Sequence, residues 1–160
     1  MTRTMEIHMS KEDTKDQAGM EHAFRKYFED LKKDGGQQLN ELLEAEFAFC
    51  SFEEKEVWLR TNPKPWMANP EGLMHGGIIA SYLDYAMGML CHYSVGERLM
   101  PTLHLDVNYL RPVKIGKPIW IRAKIIKQGR KVTYAESGIY PEGMKERLLA
   151  TGTGSYYMAE

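Results

Sequence analysis

The stretch that decides the fold is Asn69-Pro-Glu-Gly-Leu-Met-His-Gly-Gly-Ile-Ile-Ala-Ser-Tyr-Leu-Asp84. A polar, turn-forming lead-in meets a His75-Gly76-Gly77 step and then enters an apolar helix, expected from Gly77 to about Tyr93. Ile78, Ile79, Ala80, Leu83, Ala86, Met87, Met89 and Leu90 leave that helix no polar face, so it must be buried rather than laid on a surface. Within its first two turns it carries one carboxylate, Asp84. A helix start built of small residues leaves backbone N–H groups free to grip a negatively polarised oxygen. Gly76 and Gly77 present no side chain that would keep a carbonyl away from them. Oxyanion-stabilising backbone near one acid is the minimum equipment for hydrolysing an activated acyl group.

Downstream of Pro101 the hydrophobic period changes from 3.6 to 2. Strands are expected over Thr102–Leu110, Pro118–Lys127, Lys131–Tyr140 and Arg147–Met158, and their short connections favour an antiparallel meander. In the first of these, Leu103, Leu105, Val107 and Tyr109 are expected to face the helix, with His104, Asp106 and Asn108 facing out. Upstream, Glu44–Phe52 and Glu56–Thr61 alternate as a half-buried hairpin. The Pro-rich Asn62–Pro70 reads as a loop outside regular structure. An amphipathic helix is expected from Met20 to Leu31, stopped by Asp34-Gly35-Gly36, and a short helical turn through Leu39, Leu42 and Leu43. The expected organisation is therefore a mobile arm over 1–18, a helical extension over 19–43 and the main domain over 44–160. Wrapping the sheet around the apolar helix gives an α+β architecture.

The bulk properties exclude several classes. A length of 160 residues suits one core, and 43% apolar with 27% charged residues is ordinary for a soluble globular protein. A net charge of −1 supplies no field for nucleic acid or an anionic membrane. Only Cys50 and Cys91 are present, without metal-ligand spacing, which suits a reducing cytoplasm. The first residues lack a signal-peptide apolar core, and no stretch approaches the roughly 20 apolar residues of a membrane span. The expectation is a cytoplasmic protein without metal.

Three motifs in order, Asn69…Gly72-Leu-Met-His75-Gly76-Gly77…Asp84, then Thr102…Asp106-Val-Asn-Tyr-Leu-Arg-Pro-Val-Lys-Ile-Gly116, then Gly129-Arg130, resemble the hotdog-fold acyl-CoA thioesterases of the phenylacetate-pathway (PaaI-like) type. The resemblance covers roughly residues 44 to 158. It implies a curved antiparallel sheet wrapped around one long central helix, with two such units joined edge to edge, so a homodimer or a dimer of dimers is expected. By the same resemblance, Asp84 is the helix carboxylate acting as general base on water or as nucleophile. Gly76 is the backbone oxyanion donor, Asn69 the loop amide that contacts the thioester or the water, and Thr102 the hydroxyl near the acid, often across the dimer interface. His75 matches the motif and has a role that varies. Acyl-CoA is the implied substrate, and no organic cofactor is implied. The amino-terminal 40 residues lie outside the pattern.

The bland readings run alongside. Asp84 also fits an acid at a subunit contact, although an aspartate in a helix apolar on all sides is expensive to bury without a partner. His75 also fits a residue that fixes a loop by hydrogen bonding, Asn69 a turn residue before Pro70, and Gly76 and Gly77 a close helix–strand packing. Ser81 reads as a packing residue, because no Ser, His and Asp order suggests a triad. Cys91, Met87, Met89 and Met100 read as core or pocket lining. Arg111, Arg130 and Lys131 are candidates to meet the phosphates of coenzyme A at a loop rim, and so are Lys114 and Lys117, with Gly77 beside the thioester. Two rivals remain: a hydratase or dehydratase on the same fold, whose usual Asp and His helix pattern is not found here, and a non-catalytic acyl-CoA-binding module.

Overall fold

The computed structural model describes residues 15–34, 37–96 and 98–159. Most of the arm expected over 1–18, and the Gly35-Gly36 stop, lie outside the described residues. Two helices come first, α1 (Gln17–Asp34) and the single turn α2 (Leu39–Leu42). The hairpin β1 (Glu46–Ser51) and β2 (Glu56–Thr61) follows, and then the long helix α3 (Gly76–Val95). Strands β3 (Thr102–Tyr109), β4 (Ile119–Gln128), β5 (Val132–Pro141) and β6 (Ala150–Tyr157) complete the chain. The Pro-rich loop is not wholly irregular, since Pro65–Met67 form a 3₁₀ turn begun by a proline whose fixed φ suits it.

All strand pairs are antiparallel, and the sheet order is β1-β2-β4-β5-β6-β3. This corrects the four-strand meander expected after Pro101. Only β4, β5 and β6 form one, and β3 lies at the far edge beside β6. The β3–β4 connection is held where it passes the start of α3: Met74 N–H donates to Val113 O at 2.9 Å and Gly116 N–H to Pro63 O at 2.9 Å. A connection so anchored is a crossover, not a hairpin.

Helix α3 sits inside the curve of the sheet, and Gly77 is its single exposed residue. Its core residues Ile79, Tyr82, Leu83, Ala86, Met87 and Leu90 cluster with Val57, Leu59, Ile119, Ile121, Ala123, Ala135 and Ile139 from the sheet. On another side α1 closes over it. Phe24 lies 5.1 Å from Tyr93 between ring centroids, Phe28 lies 6.5 Å from Tyr85, and Tyr85 Oη donates to Tyr27 Oη at 3.2 Å. Tyr82 Oη donates to Leu43 O at 2.6 Å, which also fixes the chain after α2. The buried hydroxyls of Tyr82 and Tyr85 thus each have a partner in a neighbouring segment, as burial of tyrosine demands.

Asp16 starts α1 by accepting from Gly19 N–H at 2.9 Å, which sets the helix start ahead of the first periodic apolar residue, Met20. The next residue ties the helix to the sheet. The Gln17 side-chain amide donates to Cys50 O and accepts from Phe52 N–H, both at 2.9 Å, and so pairs with the free edge of β1 as a strand would. On the outer face of the sheet, Lys145 Nζ rests 4.6 to 5.3 Å from the ring centres of Phe49, Trp58 and Trp120.

Strand β3 departs from the expected alternation at one point. Thr102 pairs with Tyr156 and His104 with Ser155, so Leu103 is the extra residue of a β-bulge. Beyond it Leu105 and Val107 pack against the core as expected. Before it the phase is reversed: Thr102, rather than Leu103, faces α3, and Leu103 is left 58% exposed.

Candidate active site

Asp84 is the ninth residue of α3, at the start of the third turn rather than within the first two. Two hydroxyls converge on one of its oxygens. Thr102 Oγ1 donates to Oδ1 at 3.0 Å, and Tyr156 Oη donates to the same Oδ1 at 2.9 Å and to the Asp84 carbonyl at 3.2 Å. Thr102 belongs to the same chain as Asp84, and the bulge at Leu103 is what turns it inward. Tyr156 is 1% exposed. Burial first, and then the Asp84 charge, push its phenol far above the ordinary tyrosine range, so it remains a protonated donor. Burial and the same charge push the Cys91 thiol up to about 12, so it is inert.

Tyr156 was not a candidate from the sequence. A cavity cut from glycines holds its ring: a side chain at Gly154 would meet it at 2.9 Å, and one at Gly88 on α3 at 3.4 Å. Gly152, Gly154 and Tyr156 alternate along one face of β6, and a Cβ at Gly152 would meet Leu83 of the helix at 3.3 Å. Glycine-x-glycine-x-aromatic at strand period is the signal that marks a close approach of another element.

The start of α3 is also specific. His75 is its N-cap and accepts from Gly77 N–H through Nδ1 at 3.0 Å. Gly77 N–H is therefore taken by the cap. Gly76 is the first helical residue, and among the described residues nothing accepts from its N–H, which leaves that group directed out of the helix end. Its carbonyl accepts from Tyr109 Oη at 3.0 Å, with the Tyr109 ring against the glycine. Asn69 organises the lead-in: Oδ1 accepts from Glu71 N–H at 3.1 Å and Leu73 N–H at 3.0 Å. The Asn69 side-chain donor Nδ2 takes no part in that turn. Ser81 Oγ donates to Gly77 O at 2.8 Å, one turn back on the same helix.

The basic residues do not form one rim. Arg111 lies at the Gly76 end, where it donates to Leu148 O at 2.7 Å. Arg130 and Lys131 lie on the β4–β5 turn, next to the end of α3, to which Gln128 Nε2 reaches at Ser94 O. The two sets are separated by the length of a 20-residue helix, about 30 Å. Among the described residues no group of three His, Cys, Asp or Glu is placed to hold a metal ion, and no helix is long and apolar enough to cross a membrane.

One long apolar helix inside a curved antiparallel sheet is a fold that known proteins share. The Thioesterase superfamily model matches residues 71–147. The medium/long-chain acyl-CoA thioesterase YigI of Escherichia coli K12 is 30% identical over 130 residues, 72% of this chain and 77% of that protein. Acyl-coenzyme A thioesterase 13 of Mus musculus is 38% identical over 71 residues, 42% of this chain and 48% of that protein. Among solved structures, thioesterase superfamily member 2 from Mus musculus superposes with a TM-score of 0.72 at 20% identity, covering 88% of this chain and 98% of that one. A phenylacetic acid degradation-related protein from Ralstonia eutropha JMP134 gives 0.69 at 22% identity, covering 82% and 99%. The chain belongs to the thioesterase superfamily, with the hotdog fold expected from its motifs, and is a thioester hydrolase.

Proposed function

We propose that the protein hydrolyses acyl-CoA to a free acid and coenzyme A, with Asp84 as the catalytic acid and the Gly76 N–H as oxyanion donor. The observation that carries this is the single carboxylate of α3, half-buried in an apolar helix and held by Thr102 and Tyr156. In the general-base form Asp84 takes a proton from water while the water oxygen bonds to the thioester carbon. The carbonyl oxygen becomes an oxyanion and is received by the Gly76 N–H at the positive end of α3. Collapse breaks the C–S bond, and the departing thiolate recovers the proton from Asp84. In the nucleophilic form Asp84 itself bonds to that carbon and the C–S bond breaks to expel the thiolate; water then cleaves the mixed anhydride, releasing the free acid and the Asp84 carboxylate, and its proton goes to the thiolate. Either form needs Asp84 charged and apolar surroundings that keep bulk water out.

The site is built from two copies of the chain. Gly76 and Asp84 stand eight residues apart on one helix, about 12 Å of rise. Strand β3 touches both: Thr102 at one end holds Asp84, and Tyr109 at the other holds Gly76. Among the described residues the outer edge of β3 has no strand beside it, and Leu103, Tyr109 and Leu110 are 58%, 55% and 49% exposed there. Antiparallel pairing of this edge with a second copy about its middle sets Thr102 opposite Tyr109 of the other strand. That brings Asp84 of one copy beside Gly76 of the other, with two equivalent sites per dimer. It also brings basic residues from opposite ends of two helices to one substrate.

The acyl group is proposed to be a medium or long alkyl chain, supported by the name of the Escherichia coli relative. Thiol release from a panel of acyl-CoAs, from acetyl to palmitoyl and with phenylacetyl, tests the whole reading. The expected outcome is turnover that rises with chain length and falls by at least about 100-fold in Asp84→Asn. Tight acyl-CoA binding without turnover would overturn it.

A further inference from the structure

We propose that Tyr156 is a positioning residue for the reaction, one that with Thr102 commits Oδ1 of Asp84 and leaves Oδ2 as the oxygen that meets water or the thioester carbon. The inference rests on the thioesterase reading of Asp84 and names a residue that reading does not require.

The geometry is asymmetric. Both hydroxyls of the site donate to Oδ1, at 3.0 and 2.9 Å, while among the described residues nothing donates to Oδ2. A free aspartate rotates about its terminal torsion and exchanges its two oxygens, since that torsion is broad and two-fold. Two donors from different strands, Thr102 on β3 and Tyr156 on β6, remove that freedom. The second bond of Tyr156, to the Asp84 carbonyl at 3.2 Å, ties the phenol to the helix backbone as well. The carboxylate plane is thus set against the helix axis, and Oδ2 is aimed the same way in every molecule. A reacting oxygen fixed in direction shortens the search for a near-attack geometry.

The pocket has been shaped for the ring. Gly154 beneath it and Gly88 beside it have no Cβ where one would touch Tyr156 at 2.9 and 3.4 Å. The bulge at Leu103 does the corresponding work on β3, since without it Thr102 would point away from Asp84. Three departures from regular strand and helix composition therefore serve one oxygen. The titratable groups facing Asp84 are Tyr156 from β6 and Cys91 from α3 itself, and Thr102 is the contact from β3.

The test compares Tyr156→Phe with wild type and with Asp84→Asn, using steady-state hydrolysis of one acyl-CoA across pH. Tyr156→Phe keeps the buried ring and removes only the donor. Its kcat is expected to fall about 10- to 100-fold with KM changed less than about twofold, because orientation acts on the reacting complex. The acidic limb of its rate profile is expected to move up by roughly half a pH unit or more, since loss of a donor disfavours the charged carboxylate. Fluorotyrosine placed at position 156 keeps the shape and strengthens the donor, and is expected to move that limb the opposite way. Wild-type kcat and an unshifted limb in Tyr156→Phe, with Asp84→Asn dead, would overturn the inference alone. Full activity in Asp84→Asn would remove the reading beneath it. Should Tyr156→Phe fail to fold, an unshifted limb in the fluorotyrosine protein would overturn it equally.

Discussion

Asp84 stands out in the sequence because a lone carboxylate in a helix apolar all round is expensive to bury without a partner. What surrounds it does not. Tyr156 is 72 residues away, and nothing local connects a strand tyrosine to a helix acid until the sheet order is known. Its neighbours make a residue-scale prediction. Gly154→Ala would put a methyl group 2.9 Å from the Tyr156 ring and 3.2 Å from Met87 Cε. The strain is expected to cost about 1–3 kcal/mol in urea unfolding, and displacement of the phenol to lower kcat at least about tenfold. An alanine variant with wild-type kcat would show that the ring position does not matter to turnover. Asn69 and His75, by contrast, are placed by the structure where turn chemistry alone would put them, with Oδ1 and Nδ1 engaged by nearby backbone N–H groups.

At the scale of elements, periodicity located the two long helices and the strands to within a few residues, since each is long enough to show its period. Two things escaped it. Sheet order is a non-local property, and the nine residues between β3 and β4 look as hairpin-like as any other short connection. The bulge at Leu103 is equally silent, because alternating Thr102 to Tyr109 gives no sign that one residue is unpaired. The helix α1 also proves more than an appendage: Met20, Ala23, Phe24, Tyr27, Phe28 and Leu31 belong to the same core cluster as α3. Phe24→Ala, at a position with no exposure, is expected to destabilise the protein by about 3–5 kcal/mol. A change below about 1 kcal/mol in the unfolding midpoint would mean that α1 opens independently of the sheet.

At the scale of the whole molecule, the proposed two-copy site makes a quantitative prediction. Gly76→Pro removes one N–H at the first helical position, where proline suits the helix and where His75, at φ −60° and ψ 136°, already has the backbone that precedes proline. Asp84→Asn and Gly76→Pro proteins are each expected to be at least about 100-fold impaired. Dissociated and reassociated together, half of the dimers are mixed and each holds one intact site, so about a quarter of wild-type activity is expected to return. A site confined to one chain would return none.

A second whole-molecule prediction concerns alkali. Burial pushes the thiol of Cys50 to about 11 and of Cys91 to about 12, and the phenol of Tyr82 to about 12, with Tyr27, Tyr85 and Tyr156 also raised. In each case the folded state holds its proton more tightly than the unfolded chain. The stabilisation is complete below the unfolded values, near pH 9 for the thiols and 10 for the phenols, and is lost as pH rises towards the folded ones. Each such group costs up to about 1.4 kcal/mol per pH unit in that window. Melting temperature is expected to hold to about pH 9 and fall with increasing steepness to 12. A flat profile would show that these groups ionise without unfolding.

The seat of Tyr156 has a consequence for descent as well as for chemistry. Positions 154 and 156 share one volume, so they cannot drift separately: the aromatic ring at 156 leaves no room for a side chain at 154. Lineages that lose the tyrosine are released from the glycine at 154, and those that keep it inherit the two together.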